Sequence, residues 1–175
     1  LGKSEEAVAT IIVRGREKLL LERNGRETPF VDRTLYTSLN GMFITSFLKA
    51  YRVLGDAGLR DFALKSLDRV LKERYISGAL HHTEGVPAVL DDHLYLIEAL
   101  VAAYEATGDP TRLDRATAFL DRCLERFGDG EGGFFDTGEE VLGARLKRVE
   151  DIPHPSANAT AALLLIKLFH ITGRE

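Results

Sequence analysis

The sequence of 175 residues contains a single cysteine and no tryptophan. One cysteine cannot form a disulfide within the chain, so the sequence does not require an oxidising compartment. No apolar run reaches the roughly 20 residues that a membrane span needs, because Glu98 and Lys167 interrupt the best candidates. No secretory signal is visible either. From these absences we expect a cytoplasmic protein without a membrane span.

Neither sign of charge dominates the sequence. The 23 Lys and Arg residues stand against 27 Asp and Glu residues, for a formal net charge of −4. This balance offers no electrostatic footprint for nucleic acid or anionic lipid, so neither is expected as a partner. With 45% hydrophobic residues, the chain can bury the core of one domain over residues 1–175. It begins with Leu1 rather than methionine, and we expect a fragment of a longer chain.

An internal repeat of about 53 residues organises the sequence. The segment that starts at Tyr36 aligns with the segment that starts at Val89. Gly55 falls on Gly108 in this register, and a third unit near the end of the chain carries Gly173 at the matching position. Each unit predicts one helical hairpin, and glycine at these positions is typical of helix ends.

The repeat contains helices of two kinds. Residues 59–75 and 111–127 each carry one apolar stripe, which is typical of an amphipathic outer helix. Residues 41–54, 93–106 and 159–171 are apolar nearly all round, which indicates buried inner helices. This alternation predicts an all-α fold of repeated helical hairpins. We interpret it as a partial (α/α)6 toroid with alternating inner and outer helices, in preference to an up-down bundle.

Local signals add further detail to this prediction. Asp109 before Pro110 marks the start of an outer helix, since aspartate caps helices and proline suits their first turn. Another amphipathic helix is expected from Ser4 to about Glu22. The loops between hairpins are rich in glycine and predict small hairpins or extended strands at one rim.

A polar cluster stands at the head of one buried helix. In the repeat register Asp91 falls on Ser38 and Ser156, and both residue types are good N-caps. The pattern therefore predicts that Asp91 caps its helix. His93 falls on two asparagines, which are Asn40 and Asn158. Two interpretations of these three residues stay open: a ring of ligand-binding groups at the mouth of the toroid, or bonds to neighbouring loops that hold the hairpins in register.

Asp92 falls on apolar residues in the other two units, so the capping scheme does not require it. A carboxylate in the first turn gains about 0.3–1 kcal/mol from the helix dipole, which is one explanation of its presence. It is also our candidate catalytic carboxylate. Asp91 cannot be its partner in a glycosidase pair, because helix neighbours point about 100° apart. The second carboxylate would come from Asp32 or Asp136.

Other polar residues give weaker signals. We expect no cofactor and no metal, because the spacing of His81, His82 and the neighbouring acids matches no metal motif. Cys123 lies on the apolar stripe of an outer helix and is predicted to be a core residue rather than a nucleophile. Three basic residues are expected in a solvated loop, namely Arg145, Lys147 and Arg148.

A family resemblance rests on four ordered blocks of sequence: "RTLYTSLNGMFI", "VLDDHLYLIEALVAAYEATGD", "FGDGEGGFFDT" and "HPSANATAALLLIKL". They resemble the helical part of the spermatogenesis-associated protein 20 family of thioredoxin-domain-containing proteins, from about Arg23 onward. The resemblance implies an (α/α)6 toroid similar to N-acylglucosamine 2-epimerases and six-hairpin glycosidases. It also implies a thioredoxin-like domain in the parent chain. The family usually has tryptophan where Leu39 stands, so one aromatic platform for sugar stacking is absent here.

The resemblance implies a ligand site in the toroid cavity, at Asn40, Asp91, Asp92, Ser156 and Asn158. We therefore expect a carbohydrate-related domain that binds a sugar-like small molecule at the N-terminal ends of the inner helices. If active, it would act like a sugar epimerase or a glycosidase, although the isolated chain is expected to be inactive. The alternative is a non-catalytic helical scaffold or docking module for the thioredoxin-like domain.

The last inner helix, over residues 159–171, has no outer partner in the sequence. Large exposed apolar patches mark association sites. We therefore expect this face to be covered by a second copy of the chain, in a homo-oligomer, or by sequence that is missing here. A peptide-binding helical repeat ranks last, because a period of about 53 residues exceeds the roughly 34 residues of a tetratricopeptide unit.

Overall fold

The structure is a computed structural model that describes residues 2–174. These residues form six helices and one small antiparallel sheet, which confirms the predicted all-α fold of helical hairpins. The helices are α1 (Glu5–Asn24), α2 (Thr37–Leu54), α3 (Ala57–Arg74), α4 (Leu90–Thr107), α5 (Pro110–Phe127) and α6 (Ala157–Thr172). The strands are β1 (Tyr75–Ile76), β2 (Ala79–Thr83) and β3 (Val86–Pro87), in the order β1-β2-β3.

The chain divides into two compact units, Leu1–Arg33 and Thr34–Glu175. Helix α1 lies in the first unit and confirms the helix predicted from Ser4. The side-chain oxygen of Ser4 accepts a hydrogen bond from the backbone N–H of Ala7 at 3.3 Å, which caps the helix. None of the described α1 side chains is buried. Among the described residues, no helix is both long and apolar enough to cross a bilayer.

Two layers of helices build the second unit. Helix α4 packs against α2 on one side and α6 on the other, while α5 packs on α4 and α3 packs on α2. The predicted inner helices therefore neighbour one another, and the predicted outer helices cover them. Helix α4 is central, since twelve of its 18 residues are buried. Burial on most sides explains why its sequence is apolar nearly all round.

The predicted helix ends are confirmed where glycine sets them. Gly55, Gly108 and Gly173 have φ angles of 70°, 72° and 68°, and each N–H bonds back to the last turn of an inner helix. A side chain with Cβ is disfavoured in this left-handed conformation, which explains the glycine in all three units. Asp109 caps α5 as predicted, through a 3.0 Å bond from the N–H of Thr111.

Close contacts hold the inner helices side by side. A Cβ atom on Gly41 of α2 would lie 2.7 Å from the carbonyl carbon and oxygen of Tyr95 in α4, so the two backbones nearly touch. Glu105 of α4 also forms ion pairs with Arg52 of α2 at 3.2 Å and Lys167 of α6 at 2.7 Å. One carboxylate thereby links all three inner helices.

The two loops between the hairpins differ in their regularity. The first forms the predicted strands, β1 to β3. In the second, between α5 and α6, the described residues form only isolated bridges, such as the one between Gly128 and Phe134. Their repeat-equivalent apolar residues are nonetheless buried alike, with Leu80 4% and Phe134 5% exposed. Both loops therefore lie against the core at the N-terminal ends of the inner helices.

Candidate functional site

The inner helices begin with two different kinds of cap. Ser156 caps α6 as predicted, accepting a hydrogen bond from the N–H of Ala159 at 3.2 Å. The prediction that Asp91 caps α4 is wrong, because α4 begins at Leu90 and Asp91 lies inside its first turn. Ser38 likewise lies inside the first turn of α2. The backbone enters each of these two helices before the residue that was predicted to cap it.

Asp92 supplies the missing caps from inside the fold. Its carboxylate accepts bonds from the N–H of Val89, at 3.0 Å, and from the N–H of Ser38 in α2, also at 3.0 Å. Both are amide groups at helix starts that have no partner within their own helix. Asp92 is 0% exposed. Both carboxylate oxygens of Asp92 are thus used in capping, and its catalytic role stays a prediction.

His82 is the third partner of Asp92. Its ring nitrogen Nδ1 lies 2.9 Å and 3.0 Å from the two carboxylate oxygens. A carboxylate that accepts from Nδ1–H fixes the neutral tautomer and leaves the lone pair on Nε2. The His82 side chain is 33% exposed and its ring packs on Tyr36, with 5.3 Å between the ring centroids. The sequence analysis compared His82 only with metal motifs and did not predict this pair.

A polar cavity of about 220 Å³ lies beside the first turns of α4 and α6. We call it the Asp91 cleft. It is lined by polar and charged residues with two apolar ones: Asp91, Asp136, Arg148, Glu150, Ile152, His154, Ser156 and Ala157. Burial raises the pKa of Asp91, an effect that His154 and Arg148 partly offset. Of the two candidate partner carboxylates, Asp136 lines the same cavity.

Backbone and side-chain bonds position the walls of the Asp91 cleft. The carbonyl of Asp136 accepts from the N–H of Leu90 at 3.0 Å, which ties the loop to the start of α4. The carboxylate of Asp136 accepts from Nε of Arg148 at 2.7 Å. On the opposite side, the Tyr95 hydroxyl lies 2.9 Å from Nδ1 of His154. Asp136, Arg148 and His154 are therefore each held by at least one hydrogen bond.

The basic residues of this loop lie in a solvated loop as predicted, since Lys147 and Arg148 are exposed, and all three also have polar or aromatic partners. Arg145 lies over the ring of Phe135 at 4.2 Å and bonds to the carbonyl of Thr137 at 3.0 Å. Lys147 pairs with Asp129, and Arg148 pairs with Asp136. These contacts connect residues 145–148 to residues 129–137 of the same loop.

The three residues predicted to form a ring lie in three different settings. Asn158 bonds to the backbone N–H and C=O of Phe134 at 2.8 Å and 3.0 Å, and to the carbonyl of Arg148. It therefore follows the second interpretation, in which these groups hold loops in register. Asn40 donates to the carbonyl of Tyr36 at 2.7 Å, within its own helix start. His93 points to the outer helix α5 and is described below.

The residues that the structure describes contain no group of three or more His, Cys, Asp or Glu side chains placed to hold a metal ion. Cys123 is fully buried, and burial raises the pKa of its thiol to about 12. The prediction that Cys123 is a core residue is confirmed.

Comparison with solved structures defines the class of fold. The GH76A α-1,6-mannanase from Salegentibacter sp. HEL1_6 superimposes with a TM-score of 0.63 at 16% identity, over 90% of this chain and 48% of that chain. Cellobiose 2-epimerase from Bacillus thermoamylovorans B4167 also superimposes with a TM-score of 0.63, at 17% identity, over 82% of this chain and 41% of that chain. Both are α/α toroids, so the helical hairpins of this chain have the α/α-toroid fold.

The predicted family resemblance is confirmed by curated sequences. The chain is 28% identical to spermatogenesis-associated protein 20 of Homo sapiens over 193 residues, which cover 99% of this chain and 25% of that protein. The protein of the same name in Rattus norvegicus is also 28% identical, with 24% of its length covered. The chain thus spans about a quarter of the length of the curated relatives it matches. No protein-family model matches the chain.

Proposed function

We propose that this chain forms part of a carbohydrate-handling α/α toroid and binds a sugar-like ligand in the Asp91 cleft. One observation carries the proposal. Asp91, whose pKa is raised by burial, opens into a polar cavity with Asp136, Arg148 and His154 at the N-terminal ends of two inner helices. Small-molecule sites combine concave shape with a few convergent polar groups and perturbed pKa values.

The chemistry of the cleft suits hydroxylated ligands. Sugar hydroxyl groups both donate and accept hydrogen bonds, and the cleft offers carboxylate acceptors beside a guanidinium donor and an imidazole. A carboxyl group with a raised pKa keeps its proton at higher pH, which suits the general acid of a glycosidase. We therefore keep Asp91 as a ligand-binding residue and also assign to it the catalytic role that the sequence had suggested for Asp92.

A solved relative of the fold supports a role for paired aspartates. An inactive variant of the Salegentibacter mannanase, in complex with α-1,6-mannotriose, carries asparagine in place of two consecutive aspartates. This chain also has two consecutive aspartates at the start of an inner helix. We infer that the two aspartates of this chain have different roles. Asp91 faces the ligand, while Asp92 positions α2, α4 and His82. Their side chains point to different neighbours, as expected for adjacent residues of a helix.

Catalysis is proposed for the longer protein rather than for this chain. The chain covers 48% of the mannanase and 41% of the epimerase, so a toroid of their size would supply further hairpins around the ligand. In that context the reaction would resemble sugar epimerisation or glycoside hydrolysis. The isolated chain is expected to bind without turnover, and we place the protein in the cytoplasm.

Ligand binding by the chain can be tested with a thermal-shift titration against mannose, N-acetylglucosamine and glucuronate. A ligand at 100 times its Kd stabilises the native state by about 2.7 kcal/mol, which raises the unfolding midpoint visibly. We expect a shift with at least one sugar, and its loss in Asp91→Asn. Asp121→Asn serves as the matched control, because Asp121 pairs with Arg174 on exposed surface. If Asp91→Asn retains the shift, or no sugar causes one, the proposal fails.

A second candidate function is docking, which the exposed apolar face of α6 favours. Leu163 is 70% exposed, Ile166 59% and Phe169 45%. We propose that a second copy of the chain covers this face of 159–171, and a scaffold that holds a thioredoxin-like domain is the related alternative. Light scattering after size-exclusion chromatography should show a dimer that dissociates in Leu163→Glu. A native chain that stays monomeric at high concentration would contradict self-association.

A further inference from the structure

His93 is a buried polar side chain in the first turn of α4. It is 5% exposed, and neither Nδ1 nor Nε2 of its ring has a hydrogen-bond partner among the described residues. The ring lies between Phe119 and Phe127 of α5, with centroid distances of 6.3 Å and 5.3 Å. A neutral imidazole carries one donor and one acceptor. Leaving such groups unbonded in a core costs about 1–3 kcal/mol each, so the arrangement needs an explanation.

The ring borders a cavity of about 350 Å³ on the outer side of α4. We call it the His93 pocket. One wall is the β1–β2 turn with Gly78, and the other is the last part of α5 with Arg122, Glu125 and Arg126. The volume lies at the lower end of the range for small-molecule sites, roughly 300–1,000 Å³. None of these residues lines the Asp91 cleft, so the two cavities are independent.

Two guanidinium groups set the charge of the His93 pocket. Arg122 and Arg126 lie one helical turn apart and therefore on the same face of α5. Arg122 is held by bonds to the Tyr75 hydroxyl, at 2.5 Å, and the Gly78 carbonyl, at 3.0 Å. Arg126 lies over the ring of Phe127, 5.5 Å from its centroid. Glu125 is the single carboxylate among the lining residues, so the pocket carries an excess of positive charge.

The protonation state of His93 completes the description of the pocket. Burial, with smaller contributions from Arg126 and Arg122, lowers the pKa of His93 to about 4. The ring is therefore neutral near pH 7 and offers a donor on one nitrogen and an acceptor on the other. A hydroxyl group can bond to either nitrogen, since it donates and accepts equally well. Guanidinium groups in turn form strong charge-assisted bonds with carboxylate and phosphate.

We propose that the His93 pocket binds a small hydroxylated organic anion, whose acidic group pairs with Arg122 and Arg126 and whose hydroxyl group bonds to His93. The phenylalanine rings beside His93 exclude water from that bond. The proposal requires no metal ion and does not depend on sugar binding in the Asp91 cleft.

The test uses glycerol 3-phosphate as a probe, with glycerol and inorganic phosphate as its two halves. Nuclear magnetic resonance of isotope-labelled imidazole nitrogens reports directly on His93. We expect glycerol 3-phosphate to shift the His93 nitrogens along a saturable curve at millimolar concentrations. It should bind at least about tenfold more tightly than either half alone. A His93 ring that only bonds to buried water would show no such shift with any probe, and that result would overturn the proposal.

Variants separate ligand binding from a structural role. Arg126→Gln should weaken binding of glycerol 3-phosphate by at least about tenfold, the equivalent of one strong bond. Arg69→Gln is the charge-matched control, because Arg69 lies on α3 and pairs with Glu73 at 2.8 Å. His93→Phe should abolish binding and yet raise the melting temperature, since it removes two unbonded nitrogens from an aromatic cluster. Unchanged affinity in Arg126→Gln or His93→Phe would refute the assignment.

Discussion

Replacing Asp92 with alanine should destabilise the second unit strongly, because one side chain caps two helices. The carboxylate accepts from the N–H of Val89 at the start of α4 and from the N–H of Ser38 in the first turn of α2. It also accepts from His82, and it is completely buried. Alanine leaves both amide groups without this partner; the bond from Ser38 is buried and the bond from Val89 is partly buried.

The magnitude follows from those two amide groups. An unsatisfied buried donor such as the Ser38 amide costs about 1–3 kcal/mol. The lost cap at Val89 costs about 0.5–2 kcal/mol, so the two together cost about 1.5–5 kcal/mol. Typical domains have a free energy of unfolding of about 5–15 kcal/mol, which makes this loss a large share of the total. Asp92→Asn should cost less than Asp92→Ala, because its amide oxygen can still accept a bond from one of the two helix starts.

Urea denaturation of both Asp92 variants measures this loss, with Asp91→Asn as the matched control from the neighbouring position. Burial already disfavours the charged form of Asp91, so a neutral amide there should leave the free energy of unfolding unchanged or slightly higher. If Asp92→Ala lowers the free energy of unfolding by less than about 1 kcal/mol, the capping account is refuted. An equal loss in Asp91→Asn would refute the distinction between the two aspartates.

Further predictions concern backbone spacing and pH. Gly41→Ala should lower the free energy of unfolding by about 1–3 kcal/mol, because the new Cβ atom would lie 2.7 Å from the Tyr95 carbonyl group. Gly15→Ala, with open space around its Cβ, should instead stabilise α1 by about 0.5–1 kcal/mol. Thermal melts followed by circular dichroism compare the two. The pKa of His93 is about 4 in the folded chain and 6.5 in the unfolded chain. As pH falls, the imidazole is therefore protonated in the unfolded chain before it is protonated in the folded chain. The free energy of unfolding therefore does not depend on His93 protonation above about pH 6.5. It falls by about 3 kcal/mol as the pH is lowered toward 4. Urea melts across this range should show a shallower decline in His93→Phe. For Asp91, whose pKa is raised, stability should fall as pH rises through its pKa, and Asp91→Asn should remove that fall.

The parts of the fold that depend on local chemistry were predictable from the sequence. Gly55, Gly108 and Gly173 recur because the left-handed conformation at a helix end favours glycine wherever it occurs. The difference between inner and outer helices was visible because burial on all sides and burial on one side leave different apolar patterns. Both signals lie within a few residues of the feature that they predict.

The candidate site was less predictable, because its bonds join distant segments. Asp92 accepts from Ser38 across 54 positions of sequence, and no local pattern shows that the amide of Ser38 needs an acceptor. The cap of α4 was misplaced by two residues, because Asp92 and not Asp91 accepts the bond from the N–H of the N-cap residue Val89. Nor does the sequence show whether His81 or His82 faces Asp92. That choice depends on how β2 sits against the start of α4.

Asp91, Asp92 and His93 follow one another in the first turn of α4, and each reaches a different neighbour: the Asp91 cleft, the capped start of α2, and the aromatic rings of α5. A rigid helix turns all of its side chains together. Any rotation of α4 about its axis would therefore move the carboxyl group out of one cavity, strain the cap, and shift the imidazole in the other cavity at the same time. The two cavities share no lining residue, yet each has one wall in the first turn of α4.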